Sequence, residues 1–202
     1  MRTVVVAPPA SLPVSIEEAK RHARIPTDLT DDGTDQHLDM LIRAATSKLE
    51  AMVDRALVTQ TLETTYVGPI GDRWRTSGAG GVSDGSWRLP RADVTEIVSV
   101  GYLDRSGVAQ AIDPALYRSD LGAPGRLFRP SGVAWPSGES LSVRYVAGYG
   151  GPEDVPADAK LIICILVAEW YGRREMTAQG QFSELPKRVD ALADSLRWGG
   201  YP

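Results

Sequence analysis

Twelve residues, DLTDDGTDQHLD at 28–39, hold five aspartates and a glycine between two helix-like stretches. Against the calcium-loop pattern D-x-[DN]-x-[DN]-G-x5-E, Asp28, Asp32 and Gly33 match. Thr30 breaks the third position, and Asp39 stands where a longer Glu normally completes the coordination shell. The same acids suit a solvated turn followed by a helix start, where the macrodipole favours negative charge. A second stretch, VRYVAGYGGPED at 143–154, places Gly148, Gly150 and Gly151 between a strand and a helix, where phosphate loops sit. No Lys-Ser or Lys-Thr follows, and the third glycine of a dinucleotide fingerprint is replaced by Glu153. Glu153, Asp154 and Asp158 would repel a phosphate, so the glycines are expected to turn the chain.

The remaining reactive residues are sparse. His22 and His37 are the only histidines and Cys164 the only cysteine, which excludes an internal disulfide and a multi-cysteine metal site. Cys164 sits in an apolar run with nothing to lower its pKa, as a core thiol does. Glu169 and Glu175 are placed to solvate a helix end rather than to act as an acid/base pair. There is no Gly-x-Ser-x-Gly elbow. No set of residues assembles an enzyme centre, and no cofactor or metal is expected.

These residues must be carried by a folded body. The 202-residue chain is 43% hydrophobic with a formal net charge of −4. That composition supports a sizeable core and argues against a dedicated nucleic-acid binder. No signal peptide is recognisable, and the longest apolar run, Leu161 to Ala168, is far below the ~20 residues of a membrane span. An intracellular soluble protein is expected.

Residues 1–13 read as extended, with three prolines. Ser15-Ile16-Glu17-Glu18 forms a capping box for a short helix that ends before Pro26. Apolar residues recur at helical spacing from Asp35 to about Arg55. From Val58 the pattern becomes β: strands at 58–67, 95–103 and 108–112, the last two joined by a turn at Asp104-Arg105-Ser106-Gly107. Further short strands are expected at 116–119, 126–128 and 141–146. A third helix runs from Pro156 to about Arg173. Leu161, Ile162, Ile165, Leu166 and Trp170 mark it as a core helix, buried on every side. Ser183 to Pro186 opens a last helix to about Arg197.

The expected fold is α+β: a helical bundle of about four helices with an antiparallel β region inserted between helices 2 and 3. One domain of 1–202 is expected, with a helical body at 14–57 and 156–198. The β insertion takes 58–150, with a glycine-rich flexible loop at 68–87 and a tail at 198–202. Trp74 and Trp87 flank that loop, while Trp198 and Tyr201 lie in the tail. Such aromatics either anchor contacts with partners or pack back on the body.

The order of several blocks carries a family resemblance. PVSIEEAKRHARI precedes an aspartate-rich turn and a helix ending EAMVDRALVTQT. WRLPRADVTEIVSVGYLDRSG, LSVRYVAGYG, VPADAKLIICILVAEWYGRRE and ELPKRVDALADSLR follow. Leu89-Pro90, Tyr145 to Gly150 and Trp170 to Glu175 are its most specific parts. Over roughly residues 12–198 the chain resembles the head–tail connector (adaptor) proteins of long-tailed phages, prophages and gene transfer agents. The loop at 68–87 departs from that family, being longer and richer in glycine.

The resemblance implies a non-enzymatic structural protein of the virion head–tail interface, assembled in the host cytoplasm. It implies a self-associated ring, commonly of twelve copies, under the portal protein. That ring extends a channel through which DNA passes without specific binding, and presents a surface to a stopper or tail-completion protein. On this reading Leu196, Arg197, Trp198 and Tyr201 are candidates for portal contact, and Trp74 and Trp87 for contact with a neighbour or the tail. The alternatives are a calcium-dependent binding module on the 28–39 loop (Asp28, Asp32, Asp39) or an uncharacterised small enzyme.

Overall fold

A computed structural model of the chain describes residues 1–26, 32–70, 86–130, 135–174 and 187–197. The fold is α+β, with the β region between the second and third helices. Two compact units divide the chain: a β unit of Met1–Ala10 with Thr59–Gly148, and a helical unit of Ser11–Val58 with Tyr149–Pro202.

In the helical unit, α1 spans Ile16–Ala23 and α2 spans Asp32–Val53. Helices α3 and α4 follow at Ala157–Arg174 and Lys187–Leu196. The predicted capping box forms: Glu18 N–H donates to Ser15 Oγ at 3.1 Å, and Ser15 N–H donates to Glu18 Oε2 at 2.7 Å. The helix stops at Arg24, whose left-handed φ of 57° ends the ladder ahead of Pro26. Helix α2 begins three residues before the predicted Asp35, because its polar first turn carries no apolar periodicity to read. Leu38, Ile42, Ala45 and Leu49 are its fully buried face. In α4, Val189, Ala193 and Leu196 repeat at i, i+4, i+7 and enter the same core. Arg55 Nε donates to the Leu196 carbonyl at 2.6 Å and Arg197 Nε to the Met52 carbonyl at 3.1 Å, tying the ends of α2 and α4 together.

Helix α3 corrects one expectation. Ile162, Ile163, Leu166 and Val167 are fully buried, but Leu161 is 41% exposed and Ile165 half-buried. Trp170 is also only partly covered. Among the described residues, helices α1, α2 and α4 cover three sides of α3 and leave the fourth open. Eight consecutive apolar residues supply an apolar side chain to every face, whether or not a neighbour covers it.

The β unit holds a five-stranded antiparallel sheet in the order β1-β2-β8-β4-β5 and a three-stranded sheet β3-β7-β6. The strands are β1 Arg2–Ala7, β2 Gln60–Ile70, β3 Trp87–Arg88, β4 Val94–Leu103, β5 Ala109–Ala111, β6 Arg118–Asp120, β7 Arg126–Phe128 and β8 Gly138–Ala147. Alternation sends Leu62, Thr64 and Tyr66 of β2 inward, beside Leu141, Val143 and Tyr145 of β8. Two of these inward residues hold the segment that carries Leu89-Pro90. Tyr145 OH donates to the Pro90 carbonyl at 2.7 Å, and Tyr66 OH donates to the Arg88 carbonyl. The Trp87 ring lies against Tyr66 with centroids 4.9 Å apart. Gly125 is required by close approach, since a Cβ there would come within 2.5 Å of Val94 Cγ2.

The β4–β5 hairpin forms as predicted, around Asp104, whose Oδ1 accepts from the N–H groups of Ser106 and Val108 and from Ser106 Oγ. Gly107 takes φ 81° in that turn. The extended amino terminus pairs with β2 as an edge strand, from Arg2↔Thr65 to Ala7↔Thr61. Its run of valines shows no alternation, so the sequence gives no register for that pairing.

Candidate functional site

The glycine turn resolves first. Gly148 and Gly150 adopt φ of 134° and 136°, a region closed to other residues. The Gly151 N–H, which a phosphate loop would offer to a ligand, donates to Asp154 Oδ2 at 3.0 Å. A carboxylate of the chain itself occupies the anion position. Gly148 N–H closes on the Asp93 carbonyl at 3.1 Å and Tyr149 N–H on the Leu57 carbonyl at 3.1 Å. The stretch is a hydrogen-bonded turn.

The acidic stretch fares similarly. Asp28 lies outside the described residues. Asp32 opens α2 and Gly33 lies within the helix, so Gly33 makes no sharp loop turn of the kind calcium coordination needs. Asp39 is held by Arg43 Nε at 2.7 Å, one turn along. Asp35 pairs with the buried Lys20 ammonium at 2.6 Å. Among the described residues, no group of three or more His, Cys, Asp and Glu side chains could hold a metal ion.

The two histidines are separated. The His37 ring packs on Tyr171 at 6.0 Å, while His22 is exposed on α1. Cys164 is buried, and burial pushes its thiol pKa up, with the Glu18 charge adding to the effect. A thiol so placed is a poor nucleophile. Glu175 lies outside the described residues.

The candidate contact residues divide. Trp74, Trp198 and Tyr201 lie outside the described residues. Trp87 is 2% exposed and takes the packing role, because Tyr66 and the β3–β7 pairing enclose it. Leu196 is likewise buried, by the apolar side chains of the helical core. Arg197 is exposed and pairs with Asp194 at 2.9 Å.

One surface feature escaped the sequence reading. Helices α1 and α3 border an open depression of ≈ 360 Å³ lined by Glu18, Arg21, His22, Lys160, Leu161 and Cys164. Its floor is apolar and its rim mostly cationic. Helix α1 contributes Glu18, Arg21 and His22, and α3 contributes Lys160, Leu161 and Cys164, an i, i+1, i+4 set at the edge of its buried face. A general excess of apolar residues in that helix hid it.

No protein-family model and no curated protein matches the chain. Solved structures do. A chain in the neck of an empty gene transfer agent (GTA) particle, computed with C6 symmetry, superposes with a TM-score of 0.74 at 23% identity, covering 100% of both chains. A chain of the native GTA virion gives 0.73 at 22% identity over 98% of this chain and 95% of that one. A chain of the native GTA neck computed with C12 symmetry gives 0.66 at 21% identity over 100% of both. Over its whole length, this chain has the fold of a chain found in the neck and virion of gene transfer agent particles.

Proposed function

We propose that the protein is a structural head–tail connector. Copies form a ring under the portal, extend the DNA channel, and offer the opposite surface to a stopper or tail-completion protein. The observation that carries this reading is the end-to-end likeness to a chain of a particle neck, with both units included in the superposition. The C6 and C12 symmetries of those necks support a cyclic arrangement, with twelve copies the number we adopt. The open side of α3 supports self-association, because an apolar helix face of this length on a monomer is unusual without a partner.

In this account α2 and α3 form the subunit core and part of the ring contact. The β unit faces a neighbour or the tail, and the carboxy-terminal end reaches the portal. Burial of Leu196 moves the start of that reaching segment to Arg197, with Trp198 and Tyr201 beyond it. A truncation that begins before Leu196 would open the helical core, so the informative truncation removes only 198–202. Binding of this variant to the purified portal should be lost while its melting temperature stays unchanged. Undiminished portal binding would remove the carboxy-terminal assignment.

A further inference from the structure

Helix α3 has one open face, and so does α2. On α3 the stripe runs from exposed Leu161 through half-buried Ile165 and Ala168 to exposed Gly172; on α2 Met40, Ala44, Ser47 and Ala51 are all exposed. Both stripes step by four, three and four residues, the spacing of a helix–helix seam. Leu161 is 41% and Met40 56% exposed, and a Cβ on Gly172 would meet nothing within 4 Å. Apart from α1 beside Leu161, neither face has a neighbouring helix among the described residues of the helical unit.

We infer that these two faces pack on each other between copies, α3 of one chain running antiparallel along α2 of the next. The inference rests on the ring reading above and names the surfaces that build it. Antiparallel matching sets large against small at the ends of the seam: Leu161 on Ala51 and Met40 on Gly172. Ile165 meets Ser47, and Ala168 meets Ala44. The parallel alternative would stack Leu161 on Met40 and leave Gly172 facing Ala51.

The antiparallel sense is the one a ring supplies. Within one chain α2 already runs antiparallel to α3, since His37 near the start of α2 packs against Tyr171 near the end of α3. The modest rotation between successive ring copies preserves that sense. Each copy contributes both faces, so the contact is heterologous and propagates until it closes.

Charge agrees with the match. Arg21, His22 and Lys160 surround Leu161 with a single carboxylate, Glu18, whose pKa is lowered by the Ser15 N–H and in smaller part by the Lys160 and Arg21 charges. The register brings them to the carboxy-terminal end of α2, where Asp54 and Glu50, whose Oε1 already accepts from the Leu57 N–H at 2.8 Å, flank Ala51. The last turn of α2 contains no basic residue, so its partial negative charge adds to theirs. The Met52 carbonyl there is already taken by Arg197. The seam from Leu161 to Gly172 is about 17 Å long. A contact that short is weak for an isolated pair and gains from closure of the ring.

Disulfide trapping tests the seam in the full-length chain. In a Cys164→Ser background, the pair Ala44→Cys and Ala168→Cys should give a ladder of dimers, trimers and larger species on mild oxidation of concentrated protein. Either single cysteine should give none, since residue 44 meets 168 and never its own copy. Adding Gly172→Leu should abolish the ladder by filling the space Met40 needs. It should not lower the melting temperature, because Leu suits a helix better than Gly. Concentration-dependent sedimentation of the wild-type chain should also be lost with Gly172→Leu. The inference is overturned by the absence of a ladder with and without portal present, by dimers from one single variant, or by a ladder that survives Gly172→Leu. The outcomes separate from the connector reading: a ladder without portal binding keeps the seam and removes the connector. Portal binding without a ladder does the reverse.

Discussion

Replacing Tyr145 by Phe isolates one hydrogen-bonding group in the β unit. The ring is fully buried and Phe preserves its shape, so no cavity opens. The hydroxyl donates to the Pro90 carbonyl at 2.7 Å and lies 3.0 Å from Thr64 Oγ1. Thr64 keeps a second partner, Thr3 Oγ1 at 2.9 Å, so its hydroxyl stays satisfied. The Pro90 carbonyl loses the Tyr145 donor. Leaving a buried acceptor without a donor costs about 1–3 kcal/mol, and the low end, about 1 kcal/mol, is expected for this half-buried carbonyl. Urea unfolding should show that loss as a lower midpoint at unchanged slope. Thr64→Val should be milder, since Tyr145 can still reach Pro90. A Tyr145→Phe variant within about 0.5 kcal/mol of wild type would refute the claim that this hydroxyl holds the Leu89-Pro90 segment in place.

Other perturbations probe separate parts of the fold. Ser15→Ala should destabilise the helical unit by about 0.5–2 kcal/mol. It should also raise the lowered pKa of the Glu18 carboxyl only part of the way toward the ordinary value, measurable by NMR titration, because Ala keeps the backbone N–H that is the largest cause of that shift and removes only the hydroxyl. Asp104 is held at a pKa of about 2, chiefly by the Ser106 hydroxyl and the Val108 N–H. A depressed acid stabilises the fold above its unfolded value, so the hairpin contribution should be complete above about pH 4 and fade as pH falls toward 2. Amide shifts of Gly107 and Val108 should report this, and Asp104→Asn should abolish the dependence. Gly125→Ala should destabilise by about 1–3 kcal/mol through the clash with Val94, and Val94→Ala should relieve part of the loss in a double variant measured by thermal unfolding.

Local chemistry was legible in the sequence wherever neighbouring residues decide it. Ser15 and Glu18 cap one another, Asp104 and Gly107 shape one turn, and the long period of α2 and α3 marks two helices. The glycines at 148–151 were correctly separated from a phosphate loop, and the structure supplies the physical reason in the Asp154 carboxylate. Properties set by distant partners were hidden. Trp87 looked like a loop aromatic because Tyr66, 21 positions earlier, is what encloses it. Leu196 looked terminal, yet its side chain fits among residues of α2 and α3. The open side of α3 could not be separated from its buried side in LIICILVA, because apolar residues occupy both.

The central claim is that this chain is a ring-forming connector between portal and tail. Electron microscopy of the purified protein mixed with its portal tests it directly. The account predicts portal particles carrying an added cyclic layer of this chain, twelvefold in averaging, with the carboxy-terminal ends toward the portal. Portal particles with no added layer, in a mixture where the protein is folded and in excess, would contradict it.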